Sequence, residues 1–89
     1  MSDSSAQIHF EEQGPALNAV EITRDRRSPV IASLHRALFA LGVVVSSYQA
    51  RATATRLVER VVLERRDGGP VGGELGAATR AAILPIALD

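Results

Sequence analysis

Residues 25–53, DRRSPVIASLHRALFALGVVVSSYQARAT, decide how the rest of the chain is read. Ser28 is a residue type that caps helix starts. Pro29 suits a first helical position, where no N–H is needed. Val30, Ile31, Leu34, Ala37, Leu38 and Leu41 then recur at intervals of three and four. That spacing predicts a helix over 29–41 with one apolar face. Gly42 follows, where glycine can take the left-handed conformation that closes a helix. Val43-Val44-Val45 opens a strand reaching residue 53. Val43 and Val45 share one parity in it, whereas Tyr48, Ala50 and Ala52 share the other. Either a bulge near Ser46-Ser47 puts both sets on one face, or the strand stops there.

Outward from this stretch the pattern is mostly alternation. Residues 1–5 are polar and read as a frayed N-terminus before a single domain over 6–89. Ile8 and Phe10 alternate with Gln7, His9 and Glu11, which predicts a half-buried strand over 6–12. Gln13-Gly14-Pro15 marks a turn, and Val20 and Ile22 lie opposite Ala19, Glu21 and Thr23 in a second strand ending near Arg24. After a connection at 54–56, a strand over 57–66 has an apolar centre on both parities, Val61-Val62-Leu63. It lies inside the sheet, or its outer side meets a partner. Asp67-Gly68-Gly69-Pro70 is a turn. The second helix is predicted over 73–84 with Leu75, Ala78, Ala82 and Ile83 inward, weakened by Gly73 and Gly76 and ended by Pro85. Residues 86–88 are then a stub of strand or a tail.

The order strand, strand, helix, strand, strand, helix predicts an α+β domain. Without its first strand it reads as most of a ferredoxin-like sandwich: an antiparallel sheet with two helices on one face. That fold has a final edge strand for which only 86–88 remain, so the strand at 6–12 is expected to take its place.

Composition narrows the chemistry. The chain is 46% hydrophobic and 22% charged, so it folds, but aromatics are 3%, so aliphatic side chains and alanine must fill its core. The formal net charge is zero, which removes the simple electrostatic case for nucleic acid or an anionic membrane. Every basic residue is Arg, scattered over helix, strand and turn, which reads as composition bias. Without cysteine, thiolate metal sites, disulfides and cysteine nucleophiles are excluded. With no membrane-length apolar run and no signal-peptide pattern at the N-terminus, a cytoplasmic protein is expected. His9 and His35 have no second ligand or acid partner nearby in sequence. Glu11-Glu12, Glu59 and Glu64 read as solvated positions, and the glycines at 68–73 lack the Lys-Ser/Thr ending of a phosphate loop. No enzyme, metal or cofactor is expected. RNA binding on the sheet would need stacking aromatics, and only Tyr48 is available.

Read in order, Val20-Glu21-Ile22-Thr23-Arg24, Asp25-Arg26, Ala37-Leu38-Phe39-Ala40-Leu41-Gly42, Ala50-Arg51-Ala52-Thr53 and Arg66-Asp67-Gly68 resemble ACT domains. These are of the type found in nitrogen-sensing uridylyltransferases and ACT-repeat proteins. The resemblance spans residues 18–84. It implies a ferredoxin-like regulatory domain, a homodimer, and an amino-acid-like ligand at the interface. By that resemblance the ligand would meet Asp25, Arg26, Arg27, Ser28, Val30 and Val43. Pro29 stands where the family presents a glycine amide, removing one donor and leaving Ser28 and its neighbours to hold an anion. The plainer reading of Asp25-Arg26-Arg27 is a solvated loop with Asp25 favouring the helix dipole. His35 and Phe39, four apart on the helix, predict either a contact surface or a core edge. With Val61 and Leu63 they form the expected interface, for a second copy or another protein.

Overall fold

The structure, a computed structural model, describes residues 6–25 and 29–88. Among these the chain forms β1 (Gln7–Gln13), β2 (Ala16–Asp25), α1 (Ile31–Ala40), β3 (Val43–Ala52), β4 (Arg56–Arg65), β5 (Val71–Gly72) and α2 (Gly73–Leu88). The strands pair antiparallel in the order β1-β2-β4-β3, and the two-residue β5 joins the start of β2. The result is an α+β architecture whose strand order is compatible with a ferredoxin-like sandwich. β1 pairs with β2 along its length and occupies the outer edge, as expected for the strand at 6–12.

Alternation sets which side of each strand is buried. Ile8 and Phe10 on β1, Val20 and Ile22 on β2, and Leu57, Val61 and Leu63 on β4 share the inner face through the register Phe10–Val20–Val61. All but Leu57 pack with Val30, Leu34 and Leu38 of the first helical segment and with Ile83 and Ala87 of α2 in one core. On β3 the register shifts between Val45 and Ser47, so the strand has a bulge. Val45 opposite Leu63 and Tyr48 opposite Val61 therefore face the same side, which explains why the apolar parity switches within one strand. Gly42, with φ +83°, closes α1 in the left-handed region, as its position predicts.

Among the described residues the outer sheet face carries no helix. There Glu11 and Arg60 reach across β2 in a two-pronged pair, with Arg60 Nη2 donating to Glu11 Oε1 at 2.7 Å and Nε to Oε2 at 3.1 Å. The pair is diagonal, since Glu11 is in register with Ala19 and Arg60 with Glu21, and Ala19 is fully buried. Arg80 of α2 pairs with Glu12 and sits 5.6 Å from the Phe10 ring centroid, pinning α2 to the β1 edge.

Four expectations are corrected. Helix α1 begins at Ile31 behind Val30, not at Pro29, and Ser28 lies outside the described residues. The second helix does not stop at Pro85; it runs to Leu88, so 86–88 are helical rather than strand or tail. Pro85 is exposed and deprives the Ala81 carbonyl of its helical donor, but Ala81 is itself on the exposed side. Burial of Ile83 and Ala87 on either side of the proline holds the last turn. The inward stripe of α2 is Gly76, Thr79, Ile83 and Ala87, rotated from the one expected, with Ala78 exposed. Gly76 is what allows this: a Cβ there would lie 3.3 Å from the Val71 carbonyl oxygen. Finally, β5 falls where the glycine-rich segment predicts only a turn.

Candidate functional site

The start of α1 shows how its neighbourhood is built. Val30 precedes the helix with no side-chain cap, so its backbone N–H needs an acceptor from elsewhere. Glu59 supplies it from β4: Val30 N–H donates to Oε2 at 3.0 Å and Oε1 at 3.3 Å. The Tyr48 hydroxyl on β3 donates to Oε2 at 2.8 Å. Glu59 is 0% exposed, so a carboxylate that reads as solvated in the sequence is buried and tied to two donors. The signal was present: Glu59 shares the inward parity of Leu57, Val61 and Leu63. Burial, followed by the hydrogen bond to Glu59, pushes the Tyr48 hydroxyl up to about 12. Chemically the cluster is a closed anchor, with the donor of Tyr48 spent on Glu59.

Tyr48 also forms one wall of an open groove. Val45 and Tyr48 of β3 face Ile31, Ala32, His35, Arg36 and Phe39 of α1 across a space of about 690 Å³. The groove exists because α1 leaves the far half of β3 uncovered: Gln49, Ala50, Arg51 and Ala52 are exposed on the edge strand of the described sheet. Phe39, 51% exposed, stacks on His35 with ring centroids 6.2 Å apart. The Arg66 guanidinium lies 4.3 Å from the Phe39 ring centroid, and its Nη2 donates to the Phe39 carbonyl oxygen at 2.7 Å. Arg66 therefore fixes the ring and adds a second donor to the Phe39 carbonyl, which also accepts the Gly42 N–H at 3.0 Å. The lining is largely apolar, its polar side chains are His35, Arg36 and Tyr48, and among the described residues no Asp or Glu lines it.

The other sequence candidates are placed as follows. Asp25 sits opposite Arg56 in the β2–β4 register, and their side chains approach to 3.5 Å. Arg26 and Arg27, like Ser28, lie outside the described residues. Val30 is buried and its N–H is taken by Glu59. Val43 does not join the loop: it is fully buried and pairs with Arg65. Arg65 is nine steps along β4 from the Arg56 end, roughly 30 Å away. Val61 and Leu63 offer no surface either, at 0% and 4% exposed, because their parity faces the helices. His35 and Phe39 are brought together and are exposed. Among the described residues no three His, Asp or Glu side chains gather as a metal site, and no helix is long and apolar enough to cross a membrane.

No protein-family model matches the chain, and neither a curated protein nor a solved structure matches it.

Proposed function

We propose that this chain is a non-enzymatic regulatory module of ferredoxin-like, ACT-like architecture, that it acts as a homodimer, and that it recognises its target in the groove between α1 and β3. The observation that carries this reading is the groove: about 690 Å³ of open space walled by apolar side chains, beside an unpaired sheet edge. Two supports for the architecture are the strand order β1-β2-β4-β3 and the ordered set of ACT-like residues from Val20 to Gly68. An amino acid or similar small ligand near residues 25–30 is the family's way of using this region. If the module follows it, melting with a panel of free amino acids shows a selective stabilisation. At 100 times Kd that amounts to about 2.7 kcal/mol, or roughly 10 °C or more in a domain of this size.

A second reading is a pure protein-interaction module, and Glu59 favours it. A ligand carboxylate at the start of α1 would compete with a carboxylate that the protein already keeps there. In that case no amino acid shifts the melting. Phe39→Asp, at an exposed position, leaves folding intact but removes captured partners. Capture of the same partners by the unmodified chain and by Phe39→Asp would rule out the groove for either reading.

A further inference from the structure

Helix α2 is apolar on both sides. Gly76, Thr79, Ile83 and Ala87 are buried, and the opposite stripe of Ala77, Ala78, Ala81, Leu84, Pro85 and Leu88 is exposed. Leu84 and Leu88 stand 39% and 59% exposed. The charges of the helix are Glu74 and Arg80, and Arg80 is drawn aside to Glu12 and Phe10. Surface helices turn charge outward, whereas a helix apolar all round is normally covered. Here the outward stripe carries Glu74 alone, in the first turn.

We infer that a second copy of this chain covers that stripe, the two α2 helices lying antiparallel across a twofold axis at Ala81. The inference rests on the dimeric reading above and gives it a surface. About such an axis, residues equally far on either side of Ala81 oppose one another. Leu84 then faces Ala78 and Pro85 faces Ala77, so bulk on one helix meets small residues on the other, and Leu88 lies over Glu74 of the first turn. Ala81 is at the middle of the 16-residue helix, so its whole length of about 24 Å engages. The two Glu74 side chains fall at opposite ends, about 20 Å apart, and do not repel.

The flank of α1 away from the groove, Ser33, Ala37 and Ala40, is equally small and uncharged, and α1 packs beside α2. With helix axes roughly 10 Å apart it widens the patch to about 24 by 20 Å. That footprint, about 480 Å², falls short of the roughly 800 Å² per partner of standard specific interfaces, which suits a weak, reversible dimer. The groove on the opposite flank of α1 stays open.

Because the chain has no cysteine, one introduced thiol reports one contact. Ala81→Cys under mild oxidation is expected to become mostly a disulfide-linked species of twice the 9.4 kDa chain mass, since facing Cα atoms at the axis fall within about 7 Å. Ser47→Cys on β3 is expected to remain monomeric on the same gel. In sedimentation from about 5 to about 500 μM the unmodified chain shows a monomer–dimer equilibrium. Leu84→Glu weakens it at least about tenfold with unchanged circular dichroism and melting of the monomer. A strict monomer throughout that range overturns both this interface and the dimeric reading. A dimer that tolerates Leu84→Glu and cross-links through Ser47→Cys overturns the α2 interface and leaves the dimeric reading standing.

Discussion

Glu59 joins three elements through one carboxylate: its own strand β4, Tyr48 on β3, and the amide that opens α1. Removing it leaves Val30 N–H and the Tyr48 hydroxyl facing an apolar space without their acceptor. Glu59→Ala is therefore expected to lower unfolding free energy by about 2–4 kcal/mol in urea titration, and Glu59→Gln, which keeps an acceptor and the shape, by less. An unchanged midpoint for Glu59→Ala would show that the anchor contributes nothing. Tyr48 is the sole tyrosine, so its ionisation can be read directly by ultraviolet absorbance. Its folded value is about 12 against an ordinary 10.0. The neutral hydroxyl's contribution is thus complete below pH 10 and is lost as pH rises from there toward 12. Tyr48→Phe is expected to flatten that alkaline decline in melting temperature. An absorbance midpoint near 10 in the folded protein would contradict the buried hydrogen bond. Glu59 could be found in the sequence by asking which acid shares parity with core residues, but its partners could not, because they are 11 and 29 positions away.

Helix α2 shows how packing overrides local preference. Pro85 falls inside it although proline costs roughly 3 kcal/mol in a helix interior. Its cost is reduced by its place in the last turns, and the core contacts of Ile83, Ile86 and Ala87 hold the chain helical past it. Pro85→Ala restores a donor for Ala81 and is expected to raise stability by about 1–3 kcal/mol, measured as a higher urea midpoint at constant slope. A lower midpoint would mean that proline's stiffness in the unfolded chain outweighs the missing bond. Helix α1 is the contrasting case: its apolar spacing and Gly42 made its extent legible to within two residues at each end. Its true first residue was not, since the acceptor for Val30 comes from a distant strand.

At the scale of the molecule, the acidic side chains that pair with arginine lie away from the groove. Arg60 holds the Glu11 carboxyl below its ordinary 4.5. Arg65, whose Nη2 donates to Asp67 Oδ2 at 2.5 Å, together with the Gly69 amide holds Asp67 below its ordinary 3.8. Carboxyls with lowered values stabilise the fold above their unfolded range, and that contribution disappears as pH falls through the folded values. Melting temperature is therefore expected to decline below about pH 4, and a Glu11→Gln, Asp67→Asn double variant to decline less steeply. Equal slopes would show that other carboxyls set the acid limit.

By itself the sequence determined the order and kind of the six main elements, but not the two-residue β5 or the helical end of α2. Spacings of two and of three-to-four residues report which faces must leave water, and Gly42 and the Gly14 turn mark where the chain must reverse. It also carried the choice of β1 as the edge strand and the alternative of a bulge at Ser46. Tertiary structure decided between that bulge and a shortened strand, because the register against β4 is a contact between elements. It decided that Glu59 is an anchor, that Val61, Leu63 and Val43 are core, and that Phe39 stands out beside an open groove. Residues 25–53 show the division in one segment. Their helix and strand follow from local periodicity, whereas the wall that Tyr48 shares with α1 depends on how far the helix covers the sheet.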